Sequence, residues 1–223
     1  MQDQAIEAVL FDLDGTLVDS NELHVAAWAQ VFEGAGHAIP AEVIRGQIGK
    51  GGDNLVPALL PDLAEEAQEE LADEHGRLFK QAFIDRVIPF PDAAALLRRV
   101  RQTGAKVVLA SSASGEELDH YVELLGVGDV ISATTSTDDV GASKPAPDIF
   151  AVALKKAAVA PDRAVAVGDT PYDAESAGRA GVRTVGVLSG GFAESALREA
   201  GAVAIYRDVA ELLARFEESL LAG

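Results

Sequence analysis

AVLFDLDGT, residues 8–16, runs four apolar side chains directly into two aspartates spaced i, i+2, followed by Gly15 and Thr16. An unbroken apolar run of this length reads as a strand buried on both faces, as in a parallel sheet. Asp12 and Asp14 then fall at its C-terminal end, the edge where open α/β sheets collect their ligands. Two carboxylates crowded at a strand terminus repel each other unless a cation binds or one is protonated. Taken alone, the segment has a lesser reading as a solvated acidic turn. The rest of the chain decides between the two.

With 223 residues, 48% hydrophobic and 24% charged, the chain has the composition of a globular protein with a sizeable core. Its N-terminus, MQDQAIEAV, is polar and lacks the basic residues of a secretory leader. No apolar run approaches the roughly 20 residues that span a bilayer. Cysteine is absent, which excludes disulfides and thiolate metal sites and fits a cytoplasmic protein. A formal net charge of −18 argues against nucleic acid and anionic membranes as partners. A small anionic substrate stays open if a local cation offsets the repulsion. The oligomeric state is not fixed by the sequence, and a monomer is compatible with it.

After the first strand the pattern turns helical as far as Arg86, with no strand-like run. Asp19 and Glu22 have the spacing of a capping box for a helix over Leu23–Phe32. Pro40 opens a short helix, Ile48–Asn54 (IGKGGDN) is a glycine-rich loop, and a long helix follows Pro61. From Pro91 strands and helices alternate. Strands are expected at Lys106–Ala110, Val130–Ala133, Ala164–Val167, Thr184–Val187 and Ala202–Tyr206, with Ser114 and Glu117 as a capping box. The fold class is therefore α/β, a Rossmann-like parallel sheet with right-handed crossovers. Residues 1–16 and 88–223 form its core, and residues 17–87 form an inserted helical unit.

Three more segments offer groups suited to chemistry at a phosphate. Ser111 follows the strand KVVLA, Lys144 precedes a proline in SKPAPDIF, and Asp169 and Asp173 lie in GDTPYD after AVAV. If their strands are neighbours, Asp12, Asp14, Ser111, Lys144 and Asp169 converge on one rim. Each has an ordinary alternative: a local backbone bond for Ser111, solvation for Lys144 and a helix-capping role for Asp173 behind Thr170. Asp169 has no such alternative.

With these motifs in this order, the whole chain resembles the haloacid dehalogenase superfamily, in particular its capped phosphatases and phosphoglucomutase-like members. The helical insertion looks like that family's α-helical cap. The resemblance implies a Mg2+ cofactor, with Asp12 as nucleophile and ligand, the Asp14 backbone carbonyl and Asp169 as further ligands, and Asp173 either in the metal shell or only in the helix cap. It also implies Asp14 as acid and base, with Ser111 and Lys144 holding the transferring oxygens. Hard oxygen donors without cysteine suit magnesium. An aspartate at the second acidic position favours phosphoryl transfer over dehalogenation, since a halide leaves without a proton. The implied function is hydrolysis of a small phosphorylated metabolite through an aspartyl-phosphate. A sugar phosphomutase and a non-catalytic metal- or phosphate-binding switch are the rivals.

Substrate contacts are expected from Thr16, Ser112 and the insert. Lys50 and Gly51 lie where glycines would let backbone approach an anion, against the alternative of a mobile surface loop. Arg45 either faces the cleft or pairs with Glu42. His24 lies on the first insert helix near the hinge, and Trp28 is expected to pack the insert's own core.

Overall fold

Alternate residues of the first strand feed two different cores. The computed structural model describes residues 5–223; Met1–Gln4, with the start of the polar N-terminal segment, lie outside the described residues. In β1 (Ala8–Phe11), Val9 and Phe11 face one apolar cluster while Ala8 and Leu10 face another. This period-two division follows from the pleat. β2 (Val18–Asp19) leaves the core and leads to four helices, α1 (Asn21–Gly34), α2 (Ala41–Arg45), α3 (Gly52–Leu59) and α4 (Glu65–Ala82). β3 (Ile88–Pro89) brings the chain back, followed by α5 (Ala93–Gln102), β4 (Lys106–Ala110), α6 (Gly115–Leu125) and β5 (Ile131–Thr135). The remainder is α7 (Asp148–Ala157), β6 (Ala164–Gly168), α8 (Pro171–Arg179), β7 (Arg183–Val187), α9 (Glu194–Glu199), β8 (Ala202–Tyr206) and α10 (Val209–Ala214).

Six strands form one parallel sheet in the order β5-β4-β1-β6-β7-β8. Phe11 is level with Leu109 of β4 and Val167 of β6, so Asp12, Ser111 and Asp169 leave three adjacent strands at the same edge. The chain runs from β1 outward to β5, then returns to β6 on the other side. That reversal beside β1 opens the crevice in which such sheets bind ligands. One face carries Val107, Leu109, Val165 and Val167 against Leu96, Leu118 and Leu212 of α5, α6 and α10. The opposite face carries Ala8, Ala110, Ala164 and Ala166, whose small side chains let Ile149, Phe150 and Ala153 of α7 pack close.

The helical insert has its own core, in which Val25, Trp28, Phe32, Ile44, Leu55 and Leu71 pack together. Three expectations change here. A strand does interrupt residues 17–86, because β2 pairs antiparallel with β3, Val18 opposite Pro89 and Asp19 opposite Ile88. The departing and returning chains meet at this two-residue ribbon, too short for any periodicity to reveal. Asp19 is consequently in a strand and caps nothing; Ser20 stands at the N-terminus of α1 without a side-chain capping bond. IGKGGDN is a loop only as far as Gly51, since α3 begins at Gly52. Among the described residues no helix is long and apolar enough to cross a membrane.

Candidate active site

Asp12 and Asp14 leave β1 in sequence but enter different surroundings. Asp12 is 5% exposed, and one of its carboxylate oxygens accepts from the Nζ of the buried Lys144. Burial pushes the Asp12 carboxyl up to about 7, with Asp173 and Asp14 adding to the rise and Lys144 opposing it. Lys144 also lies 2.7 Å from Asp173 Oδ1. Burial alone would lower the lysine, but Asp12 and Asp173 reverse that and hold it well above its usual range, firmly charged. Its burial disposes of the solvated alternative.

Asp169 is fully buried at the end of β6, where Thr16 Oγ1 donates to its Oδ1 at 2.8 Å and Asn21 Nδ2 to its Oδ2 at 3.1 Å. Burial, then Asp173 and Asp12, push its carboxyl well up. Asp173 divides its two oxygens. Oδ2 accepts from Thr170 N at 3.0 Å and Thr170 Oγ1 at 2.7 Å, completing a capping box, while Oδ1 faces Lys144. Oxygens of Asp12, Asp169 and Asp173 all lie within 4.8 Å of one another. Buried carboxylates at that spacing, two of them with raised protonation ranges, form a hard-donor set that fits a divalent ion such as Mg2+.

Asp14 lies outside that cluster. Its Oδ1 accepts from Ser20 Oγ at 2.6 Å and from His24 Nε2 at 3.2 Å. Burial would raise this carboxyl, yet His24 and then Ser20 outweigh it and hold the group below its usual range. Both aspartates open into a cavity of about 900 Å3 between the sheet edge and the helical insert. His24 lines it, stacked on Phe79 with ring centres 3.8 Å apart. Beyond His24 lies His75, 3.4 Å from it and stacked on Trp28. Trp28 packs the insert's core as expected and also lines the cavity.

The glycine-rich loop meets the same cavity in an unexpected way. Lys50 lines it with Nζ on Gln47 Oε1 at 2.5 Å and 4.6 Å above the Tyr172 ring; burial lowers its ammonium. The neighbouring glycines approach protein instead of leaving room for an anion. A Cβ on Gly49, whose φ is +102°, would stand 2.6 Å from Thr170 Cγ2, and one on Gly51 2.6 Å from Ser143 Cβ. Ser112 lines the cavity, donating from Oγ to the Gly49 carbonyl at 3.3 Å.

Three of the expected residues are engaged by protein groups. Arg45 is not part of the cavity wall; its guanidinium makes two bonds to Glu22, at 2.6 and 2.8 Å, instead of pairing with Glu42. Thr16 is fully buried and gives its proton to Asp169, so its hydroxyl braces a carboxylate. Ser111 is fully buried, with Oγ accepting from Ala113 N at 3.0 Å, the local backbone bond open to it from the start. Asn21, Ser20, His75 and Ser143 were not singled out from the sequence. Asn21, His75 and Ser143 meet segments far along the chain, whereas Ser20 meets Asp14 only six residues away, and the local signal is a polar Ser20-Asn21 pair entering a helix.

A family model described as haloacid dehalogenase-like hydrolase matches residues 6–181, most of the chain. The chain belongs to this family. Proteins similar to it include a crystallised hydrolase from Pseudomonas syringae, 30% identical, with a TM-score of 0.89 over 96% of this chain and 99% of that one. Another is the phosphorylated carbohydrates phosphatase of Thermotoga maritima, 29% identical over 91% of this chain and 94% of that protein. Pyrophosphatase PpaX of Bacillus velezensis is 26% identical over 84% of this chain and 85% of its own length. The chain is thus an enzyme of the hydrolase class with phosphatase-named relatives.

Proposed function

We propose that this hydrolase removes phosphate from a small phosphorylated metabolite by way of an aspartyl-phosphate on Asp12, with Mg2+ as cofactor. The observation that carries the reading is the arrangement around Asp12. Its carboxylate reaches the cavity floor, touches Lys144, and shares a 4.8 Å cluster with Asp169 and Asp173. Asp12, Asp169 and Asp173, with the Asp14 carbonyl that the family pattern assigns, would hold the ion. When bound, the ion supplies positive charge that lets a phosphate dianion approach these carboxylates.

An Asp12 oxygen forms the bond to phosphorus as the ester P–O bond breaks. Lys144 neutralises charge on the transferring oxygens. Asp14 gives a proton to the departing oxygen, then takes one from the water that frees Asp12. The Ser20 and His24 contacts hold Asp14 as a carboxylate, ready for the second of these tasks. To perform the first, Asp14 carries a proton and exchanges His24 for the leaving oxygen. Residues 17–87 act as a cap over the sheet edge, closing out bulk water around a substrate small enough to fit. A cytoplasmic setting, supported by the cysteine-free composition, belongs to the same reading.

The test is phosphate release from a panel of phosphomonoesters with and without Mg2+, with isomer analysis of sugar phosphates. Hydrolysis that stops with EDTA and falls by several orders of magnitude in Asp12→Asn supports the reading. Net isomerisation without phosphate release makes the protein a mutase, and no turnover of any kind makes it a switch protein.

A further inference from the structure

Ser143, the residue before Lys144, presents its N–H, its carbonyl and the acceptor side of its hydroxyl to the helical insert, while the hydroxyl itself donates to the Lys144 carbonyl at 3.4 Å. It is 1% exposed. Its backbone N–H donates to Asp53 Oδ2 at 2.9 Å. Its Oγ accepts from Gly51 N at 2.9 Å and from Asn54 Nδ2 at 3.0 Å, and its carbonyl accepts from the same amide at 3.2 Å. Asn54 is itself steadied by Asp53 Oδ2 at 3.1 Å. One core residue is thus gripped by the first turn of α3 through backbone and side chain together. Gly51 permits it, since any Cβ there would collide with Ser143.

The position of Ser143 gives this grip a consequence. The next residue along the chain is Lys144, whose ammonium must stand between Asp12 and Asp173. A cap that merely excluded water could rest anywhere on the rim. This one fastens on the backbone that carries the charged group.

We propose that Asp53 and Asn54 are positioning residues: by gripping Ser143 when the cap closes, they bring Lys144 into register with Asp12, so closure and assembly of the catalytic site are one event. The inference rests on the phosphatase reading above and adds to it how the site is switched on. With the grip removed, the open cap leaves the Ser143–Lys144 segment to water, and fewer molecules hold Lys144 in place at any moment.

Because the chain has no cysteine, Glu69→Cys and Lys155→Cys give a unique pair of exposed spin-label sites on cap and core. In that background Asp53→Ala/Asn54→Ala should shift the inter-label distances to a longer, broader distribution. It should also lower kcat/KM by ~10- to 100-fold on p-nitrophenyl phosphate and on the best metabolite alike, the loss expected of two or three hydrogen bonds. Asp53→Asn keeps the acceptor for Ser143 N and should stay within about two-fold of wild type. Distances that lengthen without a loss of rate, or rates that fall without a change in distance, overturn the coupling. So does an Asp53→Asn variant as slow as the double variant. A parent protein that releases no phosphate defeats the phosphatase reading itself, and with it the claim that closure serves Lys144.

Discussion

Lys144 Nζ stands 2.7 Å from one oxygen of Asp173, while the other oxygen of that carboxylate caps α8 through Thr170. The capping role of Asp173 therefore does not use up its carboxylate. A helix-capping aspartate is fixed by two bonds on one side, which leaves its second oxygen rigidly presented to the charged cluster. The cap supplies the precision and the cluster uses it.

Asp173→Asn separates these functions. Its amide oxygen can still accept from Thr170, but the remaining NH2 then faces an ammonium in a buried site. We expect a loss of about 2–4 kcal/mol in stability, the scale of breaking one partner from a buried charge network. Chemical denaturation checks this. A variant as stable as wild type would mean that Lys144 is satisfied by Asp12 alone.

Asp14 and Asp12 are separable by the leaving group. Asp14→Asn should cost alkyl phosphates ~10²–10⁴-fold in the first half-reaction, the usual worth of a general acid. It should cost p-nitrophenyl phosphate far less, because nitrophenolate departs without a proton. Burst kinetics resolve that half-reaction from slow dephosphorylation. Equal losses on both substrates would remove Asp14 from the acid role.

His75 gives the protein an acid-sensitive side. Burial, with His24 adjacent, holds its imidazole well below 6.5 in the folded state. The unfolded chain therefore binds the proton more readily, so this contribution is complete above pH 6.5 and is lost as pH falls below it. One titrating group changes stability by about 1.4 kcal/mol per pH unit at most, which bounds the effect. Asp12 and Asp169, whose folded carboxyls are raised, act with the opposite sign and gain stability on acidification. The comparison is therefore with His75→Phe, which keeps the stacking on Trp28. Between pH 7.5 and 5.5, the wild-type Tm should fall by about 2–4 °C more than that of the variant. Parallel Tm curves would show that His75 does not titrate in this window.

The sheet was legible because its signals are local. β4 and β8 have the bounds that apolar runs predict, and the Ser114–Glu117 capping box forms as its spacing requires. The same capping logic failed at Asp19, where the matching pair coincides with a ribbon made by β3, far along the chain. Glu42 is the acidic neighbour of Arg45 in sequence, but α1 packing beside α2 delivers Glu22. Asn21 and Ser143 are not legible for the same reason: Asn21 meets Asp169, 148 residues away, and Ser143 meets Asn54, 89 residues away. Pattern reading finds residues that face a core or end a strand. It does not find those whose purpose lies in a distant partner.

Lys50 is the test of substrate choice. It is the cation of the glycine-rich loop, it lines the cavity, and it is lightly engaged by Gln47 and the Tyr172 ring. Its ammonium is partly desolvated, which strengthens any contact with an anion while making that contact worth having. In the proposed reaction Lys144 and a divalent ion would serve the transferred phosphate, which leaves Lys50 for a second anionic group on the same small molecule. Lys50→Ala should lower kcat/KM about ten-fold for the preferred anionic substrate, the scale of one charge-assisted hydrogen bond. Turnover of p-nitrophenyl phosphate, which lacks a second anion, should change little. Loss of equal size on both would instead assign Lys50 to cap closure through Tyr172, whose hydroxyl donates to the Gly46 carbonyl at 2.5 Å. If phosphoproteins or phosphorylated DNA ends outrun every small metabolite tested, the cap does not close over its substrate and the size argument fails with it.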